Sequence, residues 1–324
     1  MKLASLNDGS RDGQLVVVSR DLTTAHYATG VADHLQQVLD DWNFMAPQLQ
    51  DLYDTLNHGK ARHAFPLDVR LCMAPLPRAH LLALADAYRA PTGVEDANAA
   101  TVLGFSDELA GPTAPLCLPR TTQVTDFAAG WAVLTGDVPV GVSPLQALES
   151  VRLLTLVNHT RVFAEPSGPT PVANPWSTMV QSAFSPVAVT PDELASGGES
   201  AWQQGRLNLT LQCSHNGRKL GVLDAGQGMH LHAGELIAAL GQHRRVRAGA
   251  IVCMGEVRHS DKGLGHASLS ARRKQELAQG GTATTPWLAA GDTVLIEMKG
   301  RDGMSVFGGI TQNVVALESA RRGD

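Results

Sequence analysis

Apolar residues near the start of the chain recur with two different periods. Residues 13–19, GQLVVVS, are β-branched and lie between turn-forming residues, which predicts a strand. Residues 34–42 and 46–57 instead place apolar side chains three and four positions apart, the spacing of a helix that buries one face. This mixture predicts a small α/β unit.

A proline-rich segment ends that unit. Pro75 and Pro77 fix their own φ angles and bias the preceding residues toward extended conformations. We therefore predict a small N-terminal domain over residues 1–73 and a second domain over residues 74–324.

The pattern of the second domain is mainly that of strands. Short β-branched or alternating segments, often bounded by glycine, predict the strands 125–134, 207–213, 218–224, 250–257, 293–299 and 305–315. Residues 144–157, which follow the capping residue Ser143, and residues 233–242 predict two helices. The second domain is therefore expected to be β-rich with peripheral helices.

Composition and charge restrict the class of protein. The 324 residues include 44% hydrophobic and 18% charged residues, with a net charge of −5. Because the basic residues are scattered, we expect no nucleic-acid partner and no membrane surface. The four widely separated cysteines form no CxxC pair, and no signal peptide or membrane span is recognisable. These features predict a cytoplasmic protein.

Several segments, in order along nearly the whole chain, resemble bacterial members of the fumarylacetoacetate hydrolase family. They are MKLASLNDGSRDGQLVVVSRD at 1–21, CMAPLPR at 72–78, AVLTGDVP at 132–139, AFSPVAVTP at 183–191, GDT at 291–293, IEMKG at 296–300 and SVFG at 305–308. The resemblance implies an α+β fold, in which a β-rich, β-roll-like domain follows the small N-terminal domain. It also implies a homodimer.

The chemistry implied by the resemblance is hydrolysis of a C–C bond in a 1,3-diketo acid, or decarboxylation or isomerisation of similar acids. In the family, carboxylates hold a divalent cation that binds the keto-acid oxygens, and a nearby His activates water. Such hard cations take about six oxygen ligands, several of them anionic.

This chain departs from the family at those ligands. The family's DFEAEV-like strand carries two Glu on one face, and here it reads DFAAGWAV from Asp126, with Ala128 and Gly130 at the ligand positions. Asp126 shares that face, but it precedes the ligand positions, and capping of a turn is its simpler role.

Other site positions are substituted as well. His159 replaces the Asp of a VND motif, and the ligand and the catalytic His that follow the PLPR motif align with Leu84 and Pro91. Met179 replaces a Lys, and Glu256 replaces the Thr of a GT motif. The resemblance therefore predicts a site without metal ligands, and we expect neither metal nor cofactor.

The substituted positions suggest a different set of candidate residues. We take His159, Glu256 and His259 as candidate catalytic residues, because a carboxylate next to a His fixes its tautomer and raises its pKa. A buried Glu256 requires a partner, for which Arg161 and Arg258 are candidates. The alternative is that these residues fill a disused cavity.

The remaining candidates would line a pocket for a small-molecule ligand or substrate. We predict that Ala128, Gly130, Trp131, Met179, Arg161 and Arg258 border it. For Trp131 and Met179, packing in the core is an equally good explanation.

Two functions from different classes follow. The first is an enzyme repurposed to act, without the family's metal, on a small carbonyl-containing or cyclic metabolite by C–C hydrolysis, lyase or cyclisation chemistry. The alternative is a catalytically inactive pseudoenzyme that binds a ligand or supports a partner subunit.

Overall fold

A computed structural model describes residues 1–89, 101–118, 124–163, 179–196, 199–300 and 302–317. Pro91 lies outside these ranges, as does the side chain of Met179, so their predicted roles stay predictions. No helix in the described ranges is long and apolar enough to cross a membrane.

Strands account for most of the regular structure, and twenty are described. They are β1 Lys2–Leu6, β2 Gln14–Val18, β3 Thr24–Tyr27, β4 Phe65–Pro66, β5 Leu81–Ala85, β6 Thr101–Leu103, β7 Leu116–Leu118, β8 Val124–Thr135, β9 Val151–Phe163, β10 Met179–Phe184, β11 Ala188–Val189, β12 Ala195–Ser196, β13 Glu199–Ser200, β14 Trp202–Gln203, β15 Arg206–Leu207, β16 Thr210–His215, β17 Arg218–Asp224, β18 Ala250–Glu256, β19 Thr293–Lys299 and β20 Ile310–Ala316.

Five α-helices lie among the described residues. They are α1 Leu35–Asp40, α2 Trp42–Asn57, α3 Pro144–Leu148, α4 Ala233–Leu240 and α5 Leu269–Gly280. Short 3₁₀ turns occupy Val69–Leu71, Pro191–Leu194 and Lys262–Leu264. The predicted β-rich α+β class is confirmed.

The described strands form one large sheet, one smaller sheet and two two-stranded sheets, β12-β13 and β14-β15. The large sheet has the order β4-β3-β2-β1-β11-β9-β8-β18-β5-β6, with β10 paired to β9, and the smaller has the order β17-β16-β19-β20-β7. Because β1 pairs with β11, the strands of the first 73 residues continue the sheet of the rest of the chain. The division of the chain at residue 73 stays a prediction.

The predicted helix at residues 144–157 is wrong over its second half. α3 begins at the Ser143 cap as expected but ends at Leu148, and β9 starts at Val151. The apolar run 151–157 satisfies a helical period, but it pairs along its length with β8, so tertiary pairing overrides local spacing. The polar helix α5, of which only Leu269 is buried, has no apolar stripe and was not predicted.

The long antiparallel pair of β8 and β9 contributes to the core on both faces of the sheet, because successive side chains of a strand point to opposite faces. On one face of β8, Phe127, Ala129, Trp131 and Val133 belong to the larger hydrophobic cluster. On the other face, Ala132 and Leu134 belong to a second cluster. That second face continues through Gly130 to residues 128 and 126, so the candidate site extends from an apolar core.

A close backbone approach joins β8 to β18 beside this site. The pairing of the two strands is irregular between Cys253 and Glu256, and Gly255 has a φ of +88°. A Cβ atom at Gly130 would lie 2.2 Å from the carbonyl oxygen of Gly255. Glycine is therefore required at position 130 by the packing of main chain against main chain.

We predict that Gly130→Ala destabilises the protein by at least about 1–3 kcal/mol, because the added methyl group forces a backbone shift. Gly280→Ala is the matched control, since a Cβ there meets nothing within 4 Å; its effect should stay within about 1 kcal/mol. Urea unfolding of the two variants measures both changes. Equal stabilities would contradict the close approach.

Candidate active site

The register of three strands brings the substituted positions together. Asp126, Ala128 and Gly130 of β8 lie directly opposite Arg161, His159 and Val157 of β9, respectively. Glu256 of β18 lies opposite Gly130 on the other side. Directly paired residues share a face, so the side chains of Asp126, His159, Arg161 and Glu256 extend from one side of the sheet.

Arg161 is the cation at the centre of this group. Its Nη2 donates a hydrogen bond to Oε2 of Glu256 at 3.0 Å and lies 3.6 Å from Oδ2 of Asp126. The side chain is 29% exposed, and its Nε has no hydrogen-bond partner. Burial lowers the pKa of the guanidinium, but the two carboxylates outweigh burial and raise it, so Arg161 stays charged.

Glu256 is a buried carboxylate with both oxygens satisfied. Oε2 accepts the bond from Arg161, and Oε1 accepts one from the Ser268 hydroxyl at 2.6 Å. Burial acts to raise the pKa of Glu256, but Arg161, Arg258 and the hydrogen bond from Ser268 hold it below its ordinary value. The partner expected for Glu256 is therefore Arg161.

Asp126 caps helix α5. Its carboxylate accepts hydrogen bonds from the backbone N–H groups of Leu269 at 2.8 Å and Ser270 at 3.1 Å. Ser268 caps the same helix through the N–H of Ala271. Helix N-termini favour such acceptors, so the simpler role anticipated for Asp126 is the one it performs. Burial raises the pKa of Asp126, although Arg161 opposes that effect.

His159 is buried and neutral. Its Nδ1 lies 2.9 Å from the hydroxyl oxygen of Ser182 on β10, whereas its Nε2 is buried without a hydrogen-bond partner. Burial, followed by repulsion from Arg161, lowers its pKa from 6.5 to about 3. The expected pairing of His159 with a carboxylate is not found, because Glu256 is bound by Arg161 and Ser268 instead.

Two other charged candidates lie outside this group. Arg258 pairs with Asp86 at 3.0 Å, and Oδ1 of Asp86 is buried without a partner. Nε2 of His259 contacts Gln227, and its Nδ1 accepts the N–H of Asp261. Among the described residues, no hydrogen bond joins His259 to His159 or Glu256, and we assign it to the surrounding loop.

Trp131 lies in the core and not in the pocket. It is fully buried on the face opposite Gly130, where its Nε1 donates to Tyr88 at 2.9 Å and its ring meets Trp202 edge-to-face at 6.0 Å. Of the two explanations for Trp131, core packing is the correct one. Leu84, which the resemblance aligns with a ligand position, lies in β5 opposite Cys253.

The donor set does not fit the family's divalent cation. Ala128 has no ligand atom, and Gly130 has no room even for a Cβ. The nearby carboxylate of Glu256 is bound to the guanidinium of Arg161, and that of Asp126 is bound to the N-terminus of helix α5. No three His, Cys, Asp or Glu side chains converge as metal ligands within the described ranges. We therefore assign no step to a metal.

Comparison with known families identifies the family of the chain. The family model described as fumarylacetoacetase N-terminal domain 2 matches residues 1–78, and the model described as fumarylacetoacetate (FAA) hydrolase C-terminal matches residues 76–315. The chain belongs to the fumarylacetoacetate hydrolase family. No curated protein matches the chain by sequence.

Solved structures of low sequence identity share this fold. Maleylpyruvate hydrolase from Sphingobium sp. SYK-6 has a TM-score of 0.67 at 14% identity, covering 98% of this chain and 100% of that one. Fumarylacetoacetate hydrolase from Exiguobacterium antarcticum has a TM-score of 0.66 at 17% identity, with 98% and 99% covered. 5-carboxymethyl-2-hydroxymuconate delta-isomerase from Mycobacterium smegmatis has a TM-score of 0.59 at 15% identity, covering 98% of this chain and 99% of that one.

Sequence reasoning missed two residues of this site. Ser268 begins an unpredicted helix, and a capping serine ahead of that helix was the available signal. Ser182 carried no signal, because only the pairing of β10 with β9 places it opposite His159.

We predict that Glu256→Ala destabilises the fold by about 3 kcal/mol, because it leaves the Arg161 guanidinium without its partner. This value is the lower end of the usual cost of breaking a buried ion pair, since the side chain of Arg161 keeps some contact with solvent. Arg247→Ala is the control, because its ion pair with Asp137 is exposed and contributes at most about 1 kcal/mol. Denaturant titration compares the two. A similar loss in both would show that the buried pair contributes no more than a surface pair.

The low pKa of His159 predicts a pH dependence of stability. The unfolded chain binds a proton at this imidazole near its ordinary pKa of 6.5, whereas the folded protein does not until about 3. Stability should therefore fall as the pH drops between these values, by up to about 1.4 kcal/mol per pH unit. His159→Gln should reduce that slope in unfolding titrations, and an unchanged slope would contradict the neutral imidazole.

Proposed function

We propose that this protein is a metal-independent member of the family that acts on a small carbonyl-containing or cyclic acid, with Arg161 as the fixed cation of the site. The observation that carries the proposal is the position of the guanidinium. It extends from the face that bears Ala128 and Gly130, where carboxylate ligands are missing, and Glu256 and Asp126 hold it there.

A guanidinium can perform part of a metal ion's task. It is permanently charged, it presents fixed N–H donors, and it binds carboxylate and enolate oxygens. It cannot make a nucleophile by lowering the pKa of bound water as a metal does. Arg161 therefore suits chemistry in which negative charge develops on a carbonyl oxygen, as in lyase, cyclisation or C–C cleaving reactions.

Two further features support a ligand at this place. The side chain of Arg161 keeps 29% of its surface exposed. Its Nε, and Nε2 of His159 two residues away, have no partner. The relative from Sphingobium has been crystallised with manganese and pyruvate, and pyruvate is therefore a suitable probe.

The experiment combines metal analysis with binding of pyruvate. We expect the purified protein to contain substoichiometric Mg²⁺, Mn²⁺ and Ca²⁺, and calorimetry to show pyruvate binding that EDTA leaves unchanged. Arg161→Met should weaken that binding at least about tenfold, because a charged hydrogen bond is lost. A stoichiometric metal whose removal abolishes binding would refute the proposal.

A pseudoenzyme is the second candidate, favoured by the commitment of the acidic groups to structure. The carboxylate of Glu256 binds Arg161 and Ser268, and that of Asp126 binds the N-terminus of helix α5. The neutral imidazole of His159 is a weak base. An assay of pyruvate release from a panel of acylpyruvates separates the two candidates. Turnover that depends on Arg161 supports the enzyme, and pyruvate binding without turnover of any member supports the pseudoenzyme.

A further inference from the structure

Two nitrogens on β9 have no hydrogen-bond partner among the described residues. They are Nε2 of His159, whose residue is only 7% exposed, and Nε of Arg161. Residues two apart on a strand lie on the same face, with their Cα atoms about 6.6 Å apart, so both side chains can contact one ligand. A buried polar atom without a partner is costly, so its retention on this face points to a ligand that completes it.

The ligand must match the chemistry of both nitrogens. Nε of Arg161 always carries a proton and can only donate. Nε2 of His159 can donate as well, when it carries the proton of the neutral ring. Two donors beside a fixed positive charge select an anionic oxygen, such as that of an enolate or a carboxylate.

The contact with Ser182 bears on which nitrogen of His159 carries the proton. Its hydroxyl oxygen lies 2.9 Å from Nδ1. When the hydroxyl donates to Nδ1, the neutral ring carries its single proton on Nε2. A serine can donate in this way, whereas a carboxylate partner would instead place the proton on Nδ1.

Resting on the metal-independent function above, we propose that Nε2–H of His159 and Nε–H of Arg161 form an oxyanion site for the enolate or carboxylate of a small keto acid, with Ser182 as the positioning residue. The imidazole acts as a neutral donor and not as a base. The groups that face it are the Ser182 hydroxyl on β10, the methyl group of Ala128 on β8 and Arg161 on its own strand. Asp126 and Glu256 extend from the same side of the sheet, but among the described residues neither is hydrogen-bonded to the ring.

The test uses oxalate, a planar dianion that resembles the enolate of pyruvate, with the full-length protein in EDTA. We expect His159→Phe and Arg161→Lys each to weaken oxalate binding about tenfold or more, because each removes one donor and Lys keeps the charge. Thr160→Val is the matched control: its buried hydroxyl lies between the two residues in sequence, has no partner, and should not affect binding.

The role of Ser182 requires a spectroscopic readout. In ¹⁵N spectra of histidine-labelled protein, we expect His159 as the Nε2–H tautomer, a mixture of tautomers in Ser182→Ala, and recovery of both tautomer and oxalate affinity in Ser182→Thr. An Nδ1–H tautomer in the unsubstituted protein would overturn the proposal. If His159→Phe kept its affinity for oxalate while Arg161→Met lost it, the oxyanion site would be refuted, but Arg161 would remain the cation of the site. If oxalate binding instead required a metal ion, the proposed metal-independent function would be refuted.

Discussion

The ion pair between Arg161 and Glu256 connects the elements that build this site. It joins β9 to β18 across β8, and Ser268 and Asp126 extend the connection to helix α5. Buried charges are stable only when they are paired and hydrogen-bonded, so each of these side chains constrains the next. The same constraint fixes what the site can do, because the carboxylates that hold the guanidinium are not available to a metal ion.

The hairpin of β8 and β9 supplies the geometry on which that ion pair depends. Its register is regular from Val124 opposite Phe163 to Leu134 opposite Leu153, and one face carries apolar residues at one end and charged residues at the other. A slip of one residue would turn the charged side chains into the core. The close approach of Gly255 to Gly130 then leaves no room for a side chain at a position that would otherwise carry a ligand.

Arg161 and Glu256 carry opposite charges in this site, whereas His159 is neutral. Arg161 remains protonated, the pKa of Glu256 is lowered, and the pKa of His159 falls to about 3. A site of this kind stabilises a developing negative charge more readily than it transfers protons. That distinction separates an oxyanion site from the pairing of His159 with Glu256 that their residue types suggested.

The sequence by itself determined the family, through the order of its matching segments, and the α+β class and the strand containing Asp126, through local periodicity. That Ala128 and Gly130 stand at ligand positions is what the resemblance implies. The sequence also indicated that Glu256 needs a cationic partner. Only the tertiary structure decided that Arg161 is that partner, that His259 and Trp131 lie elsewhere, and that Ser182 contacts His159. Those contacts join residues far apart along the chain, so they depend on strand register, which no local pattern encodes. For the same reason the apolar run from Val151 suggested a helix until its pairing with β8 made it a strand.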